Sequence, residues 1–204
     1  MPSGSGPAGI VLTPGASAGR DQPALVAIDG AATALGLLVE RVDFPYRLAG
    51  RRSPDSPRVL VATIVDAAAG LAERAGVGRE RIALGGRSLG GRMCSLAAAE
   101  GQPAAALVLV SYPLHPPGRP ERLRDEHFPS IGVPCLFVSG TRDAFASPDE
   151  LEASAAAISG PVTHVWIDGG DHGLRRRDAE VAGAVGEWLG TLVPTVRPRR
   201  SRRA

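Results

Sequence analysis

The sequence contains no lysine and no asparagine, so its 23 strongly basic side chains are all arginines. We attribute this bias to genomic composition and base no function on it. The absence of lysine does exclude a phosphate-binding loop of the Gly-Lys-Ser/Thr type. The glycine-rich stretch that begins at Gly85 also departs from the dinucleotide-binding fingerprint.

Cysteine is scarce, with Cys94 and Cys135 the only two in the chain. Two cysteines do not indicate a disulfide framework, and we expect both to be buried small apolar residues. Histidines and cysteines are not paired at the spacing of metal ligands. We therefore predict neither a metal site nor a cofactor.

Long apolar runs are also missing, since none reaches the roughly 18 residues that a membrane-spanning helix requires. Residues 1–9 are rich in Pro, Gly and Ser and do not show the basic start and apolar core of a signal peptide. We expect them to be flexible, and the protein to be cytoplasmic without a membrane partner.

The net charge of +2 conceals an uneven distribution. The last eight residues contain five arginines, and subtracting their charges leaves a net charge of −3 for the rest. We expect residues 194–204 to form a basic disordered tail, with nucleic acid an unfavoured partner. The oligomeric state stays open.

Between these ends, short apolar runs alternate with segments of helical periodicity. This alternation predicts an α/β domain over residues 10–193, with a mostly parallel sheet of about six strands and helices on both faces. The predicted strands are 10–13, 37–44, 82–85, 105–110, 134–139 and 162–167. The predicted helices are 23–35, 57–75, 89–100, 149–159 and 178–192, and the proline-rich connection 111–132 should hold one short helix.

The third predicted strand runs into Gly86-Arg87-Ser88-Leu89-Gly90, which matches the nucleophile-elbow pattern Gly-x-Ser-x-Gly. Such a turn strains the serine backbone and exposes its hydroxyl, and its flanking positions leave no room for side chains. A chain with 26 glycines can contain this pattern by chance. The assignment of Ser88 as a nucleophile therefore needs support from the residues that follow other strands.

An acid and a histidine follow two later strands. Asp143 comes after the fifth strand and His172 after the sixth, so the order is Ser88, Asp143, His172, which is the order of the α/β-hydrolase triad. The carboxyl ends of parallel strands share one edge of a sheet, so the three should meet there. Other candidates fit less well: the acids Asp149, Asp168 and Asp171, and the histidines His115, His127 and His164.

Each residue type suits acyl transfer. A histidine can take the proton of a serine hydroxyl as it attacks a carbonyl, and a carboxylate orients the imidazole. The negative oxygen that forms needs backbone donors, which we assign to the N–H groups of Leu89 and Ala16. We also expect Arg87, Tyr112 and His115 to contact a small-molecule substrate, with a structural ion pair as the alternative for Arg87. For Arg92 we expect a pairing with an acid or a backbone carbonyl.

Five segments of the chain resemble the small KANL/Tex-like α/β-hydrolases, which are distantly similar to dienelactone hydrolases. The resemblance implies an α/β-hydrolase fold without a large lid, with Ser88, Asp143 and His172 as triad. It also leaves open a binding or scaffold protein with a weak or inactive site, because the oxyanion loop has Pro14-Gly15 where many relatives have His-Gly. The segments are 12–17, 85–92, 111–118, 140–143 and 170–173.

Overall fold

A computed structural model of the chain describes residues 6–193. Six parallel strands form one sheet in the order β2-β1-β3-β4-β5-β6. All strand pairings are parallel, so every strand ends at the same edge of the sheet. The strands are β1 (Gly9–Thr13), β2 (Leu38–Arg41), β3 (Ile82–Arg87), β4 (Leu107–Val110), β5 (Cys135–Gly140) and β6 (Val162–Ile167).

Helices cover both faces of this sheet. One face packs against α1 and α6, and the other against α3, α4 and α5. Side chains along a strand alternate between the faces, so Leu107 and Leu109 join one core cluster while Val108 and Val110 join the other. The helices are α1 (Pro23–Ala34), α2 (Pro45–Leu48), α3 (Pro57–Ala75), α4 (Leu89–Ala99), α5 (Pro148–Ala155) and α6 (Asp178–Leu192).

This architecture confirms the predicted α/β-hydrolase fold with six strands and no large lid. The connection after β4 contains one short 3₁₀ turn, Phe128–Ser130, and does not form a lid over the sheet edge. The bounds of α3, β6 and α6 agree with the predicted ones. No helix within residues 6–193 has the length and apolar character needed to cross a membrane.

Several elements differ from the prediction; α5, for example, ends at Ala155 instead of Ser159. The second strand ends at Arg41 instead of Phe44 because its only neighbour, β1, stops at Thr13, just before Pro14. The stretch after it, expected to be a loop, contains α2. This short helix forms because Tyr46 is fully buried and packs beside Phe44 in the core.

The ends of the expected domain lie at the limits of the described residues. The first strand begins at Gly9, and the backbone of Ala8 already bonds to Arg81 and Leu38. Of the predicted flexible segment, residues 1–9, residues 1–5 lie outside the described residues, as does the predicted basic tail, residues 194–204.

Candidate active site

Ser88 occupies a tight turn between β3 and α4, with φ 51° and ψ −115°. This is a left-handed conformation that a residue with a side chain rarely adopts, and it persists only where the surroundings enforce it. Here the Ser88 N–H donates to the Val110 carbonyl at 2.8 Å, and the Ser88 carbonyl accepts from the Arg92 N–H at 3.0 Å. The turn therefore holds the hydroxyl at the carboxyl edge of the sheet.

Two glycines allow β3 and α4 to approach at this turn. A Cβ atom at Gly90 would lie 2.5 Å from the carbonyl oxygen of Thr13. One at Gly86 would lie 2.7 Å from the Gly90 carbonyl carbon and would also collide with the Thr13 hydroxyl. The steric reason for Gly-x-Ser-x-Gly therefore applies in this chain.

His172 lies beside Ser88 and Asp143. The Nε2 atom of His172 is 2.8 Å from Ser88 Oγ, and its Nδ1 atom is 2.8 Å from Asp143 Oδ2 and 3.0 Å from Oδ1. The Asp143 side chain is fully buried, whereas the His172 side chain is 21% exposed. The ring of Phe145 stacks on the imidazole with centroids 3.9 Å apart. One hydrogen-bonded chain thus runs from a buried carboxylate to a hydroxyl at the surface.

A close backbone crossing brings the Asp143 and His172 loops together. A Cβ atom at Gly140 would collide with the backbone of Gly170, whose Cα atom would lie 2.9 Å away. The Arg142 N–H donates to the Gly170 carbonyl at 2.8 Å, and the Gly169 N–H donates to the Thr141 hydroxyl at 2.8 Å. Sequence reasoning missed this crossing, although glycines directly after two adjacent strands were a signal for it.

Arg87 ties the histidine loop to the elbow. Its Nη2 atom donates to the His172 carbonyl at 2.6 Å. Burial lowers the pKa of this guanidinium, and the charges of Asp143, Asp171 and Asp178 act in the opposite direction. Arg87 also lines the cleft beside Ser88. Its position therefore fits a role in positioning His172 as well as the predicted contact with substrate.

The N–H groups of Leu89 and Ala16 have no hydrogen-bond acceptor within residues 6–193. Leu89 is the first residue of α4, where a helix leaves its N–H groups unbonded. The loop that carries Ala16 is held by side chains, since Tyr46 Oη donates to the Ala16 carbonyl at 2.7 Å and the Gly15 N–H donates to Gln22 Oε1 at 3.1 Å. Both residues line the cleft at Ser88.

The structure does not bring Tyr112 and His115 into this cleft. Tyr112 is fully buried, packs on Phe128 and Phe137, and donates from its hydroxyl to the Arg124 carbonyl at 2.8 Å. His115 is 5% exposed, and its Nε2 atom lies 3.3 Å from the Glu150 carboxylate. Neither side chain lines the Ser88 cleft, so a contact of Tyr112 or His115 with substrate stays a prediction that this arrangement does not support.

The cleft beside Ser88 has a volume of about 340 Å³. Sequence reasoning did not identify Ser17, Arg92, Pro113, Arg124 and Phe145 as lining it. Arg92 also differs from its expected role, because it forms neither an ion pair nor a side-chain hydrogen bond within residues 6–193. No direct sequence signal marks Arg124, which lies far from the elbow along the chain.

A second serine–histidine pair lies behind α4. Ser95 Oγ is 2.7 Å from His127 Nε2 and donates to the Arg92 carbonyl at 2.8 Å. Ser95 is fully buried, and burial together with the Arg92 charge lowers the pKa of His127 to about 4. Because Ser95 is inaccessible, this pair ties the connection after β4 to α4 and does not face a cleft. Within residues 6–193, no group of three or more His, Cys, Asp or Glu side chains is arranged to hold a metal ion.

Comparison with known proteins agrees with this fold. Residues 7–187 match the family described as "Alpha/beta hydrolase domain". The chain belongs to this family. The α/β hydrolase is similar in structure to a dienelactone hydrolase from Anabaena variabilis, with a TM-score of 0.74, 20% identity, and 93% of this chain and 88% of the other covered. It is also similar to an α/β serine hydrolase without lid from Xanthomonas campestris, with a TM-score of 0.73, 17% identity, and 97% and 88% covered.

One sequence relative is similar to part of this α/β hydrolase. Epoxide hydrolase A of Mycobacterium tuberculosis is 41% identical over 61 residues. The match spans 29% of this chain and 19% of that protein, so it is a local likeness.

Proposed function

We propose that this α/β hydrolase is a serine hydrolase that cleaves an ester, thioester or related acyl bond of a small-molecule substrate. The observation that carries the proposal is the continuous hydrogen-bonded chain Ser88–His172–Asp143 beside an accessible cleft. Serine, histidine and a buried carboxylate in this arrangement are typical of nucleophilic acyl transfer.

The distances support a two-stage mechanism. With Nδ1–H donated to Asp143, the bare Nε2 of His172 accepts the Ser88 proton as Oγ attacks the substrate carbonyl. The imidazolium then returns this proton to the leaving group as the acyl–oxygen or acyl–sulfur bond breaks, which leaves an acyl-enzyme. Water, deprotonated by His172, attacks the acyl carbon, and the released Ser88 recovers its proton.

The negative oxygen of each tetrahedral intermediate would lie between the N–H groups of Leu89 and Ala16. Their lack of other acceptors and their position in the cleft support this assignment. Losing one such donor typically lowers the rate about 10²–10³-fold. The peptide that carries the Ala16 N–H is held through its Gly15 carbonyl, which accepts from the Ala18 N–H at 3.1 Å, and the Tyr46 hydroxyl holds the next peptide by donating to the Ala16 carbonyl. These bonds fix the loop in a chain that lacks the His-Gly sequence of other oxyanion loops.

Two finer assignments belong to the same proposal. We place the chain in the KANL/Tex-like group of these hydrolases on the segments named above. We also infer a reducing, cytoplasmic setting, because Cys94 and Cys135 are buried free thiols. Burial raises the pKa of each thiol to about 12, as expected for cysteines that pack as small apolar residues.

A fluorophosphonate probe tests the reaction class. It should add one label to the wild-type protein, detected by intact-protein mass spectrometry, and Ser88→Ala should remove that label. Ser95→Ala is the matched control, since Ser95 also bonds to a histidine but is buried, and labelling should persist. A folded wild-type protein that stays unlabelled, or labelling that survives in Ser88→Ala, would overturn the proposal and favour a hydrolase-fold binding protein.

A further inference from the structure

Arg92 lines the Ser88 cleft, and among the described residues its charge has no ion-pair partner. It lies one helical turn after Ser88 on α4, and its Nε atom is buried without a hydrogen-bond acceptor. No carboxylate oxygen of residues 6–193 lies within 4 Å of its guanidinium, whereas Arg41 and Arg74 form ion pairs at 3.0 Å or less. An unbonded buried N–H group costs free energy unless a ligand satisfies it.

Arg124 enters the same cleft from the connection after β4. Its backbone is fixed by the Tyr112 hydroxyl, and its Nη1 atom donates to the Pro113 carbonyl at 3.2 Å. Burial lowers the pKa of Arg124, and the nearby charge of Arg92 lowers it further. The two guanidinium groups therefore repel each other in a partly desolvated place, which an anion between them would relieve.

No acid within residues 6–193 forms an ion pair with Arg92 or Arg124. Asp143 lies behind His172, and the acids that face Arg87 act on Arg87. Arg92 and Arg124 also line an adjoining groove of about 510 Å³ together with Glu121, Asp125 and Glu126, but none of these acids forms an ion pair with either arginine. The lining of the Ser88 cleft itself contains Arg87, Arg92 and Arg124 and no acid, so this cleft is cationic.

We propose that Arg92 and Arg124 form an oxyanion-binding subsite, and that the substrate is an ester or thioester that carries a carboxylate or phosphate group away from its scissile carbonyl. The reaction in this inference rests on the proposed function, whereas the anionic group of the ligand is inferred from the residues that line the cleft. Guanidinium groups suit both anions, because their N–H fork matches the oxygens of either one. The unbonded Nε atom of Arg92 and its Nη atoms supply such a fork.

The first test compares two p-nitrophenyl esters of equal chain length, the monoester of adipate and the neutral hexanoate. The wild type should prefer the anionic ester in kcat/KM. Arg92→Gln and Arg124→Gln should each reduce that preference about 10–100-fold, as expected for a charge-assisted hydrogen bond. Arg122→Gln is the control, because Arg122 is an exposed neighbour that does not line the Ser88 cleft.

Binding to Ser88→Ala provides a second readout that needs no turnover. Calorimetric titration with adipate and with inorganic phosphate should reveal which oxyanion binds more tightly, and Arg92→Gln in that background should remove binding. If the wild type hydrolyses neither ester but adipate or phosphate still binds through Arg92, the proposed reaction fails and the subsite stands. The subsite is overturned if neither anion binds, or if the preference among active variants is unchanged by both arginine substitutions.

Discussion

At the scale of single residues, the buried Asp143 carboxylate holds the His172 ring in one orientation and one tautomer. Its side chain is fully buried, and both carboxylate oxygens lie within 3.0 Å of Nδ1. Its Oδ1 also accepts the Phe145 N–H at 2.8 Å, so the carboxylate cannot rotate freely. This arrangement selects the imidazole tautomer whose Nε2 is free to accept the Ser88 proton.

Asp143→Asn should lower the kcat of ester hydrolysis about 10³–10⁴-fold. The reason is that an amide NH₂ group directed at Nδ1 favours the tautomer with the proton on Nε2, which cannot accept from Ser88. Steady-state rates with a p-nitrophenyl ester measure the effect, with circular dichroism to verify folding. The control is Asp171→Asn, an exposed acid beside the same histidine, which should retain its rate. Equal rates in the two variants would refute this role for Asp143.

The sequence could predict the loops on which Ser88, Asp143 and His172 lie, because each of these loops follows a strand of a parallel sheet. It could not predict that Tyr112 turns inward while Arg124 reaches the cleft. Both lie on the long connection after β4, whose path depends on the packing of Tyr112 against Phe128 and Phe137. A residue cannot be placed from the strand that precedes it when the path of its loop depends on contacts with residues that are distant in sequence.

At the scale of elements, the contact between the loops after β5 and β6 determines whether acid and base meet. Gly140 and Gly170 let the two backbones cross at a distance that excludes any Cβ atom at Gly140. The elements themselves followed from apolar periodicity. The crossing could not be predicted in this way, because a glycine in a turn can equally indicate a positive φ angle. Neither Gly140 nor Gly170 has a positive φ angle.

Gly140→Ala should destabilise the protein by about 1–3 kcal/mol, because the added methyl group must push the two loops apart. It should also slow labelling of Ser88, since Asp143 and His172 separate. Urea unfolding and the rate of fluorophosphonate labelling measure these effects. Gly183→Ala on α6 is the control: a Cβ atom there meets nothing within 4 Å, and helix propensity favours alanine by about 1 kcal/mol. Unchanged stability and labelling in Gly140→Ala would contradict the steric argument.

At the scale of the whole molecule, one sheet separates two apolar core clusters, and the site depends on the cluster that contains α4. Residues from α3, α4, β5 and the connection after β4 share this cluster. The connection is tied to α4 by the Ser95–His127 pair, with the His127 ring against Phe128 at 5.1 Å between centroids. The stability of the fold and the position of Arg124 are therefore linked through His127.

This link should make stability depend on pH. Burial, followed by the Arg92 charge, lowers the pKa of His127 to about 4, with Asp125 and Glu126 acting weakly in the opposite direction. In the unfolded chain the pKa of the same imidazole is about 6.5. Between these two values the unfolded state binds more protons, so the free energy of unfolding must fall as the pH falls. The stability that depends on a neutral His127 is fully present above about pH 6.5 and is lost as the pH falls towards 4.

His127→Gln should therefore flatten the pH dependence of the free energy of unfolding between pH 7 and pH 5. The glutamine amide can still donate to Ser95 Oγ, so packing is largely kept while the titrating group is removed. Urea unfolding of both proteins at several pH values measures the two slopes, and the wild-type slope should be the steeper one. All other titrating groups are shared, so their effects cancel in the difference. Parallel slopes would mean that His127 is protonated equally well in the folded and unfolded states, and that its burial behind α4 does not keep it neutral.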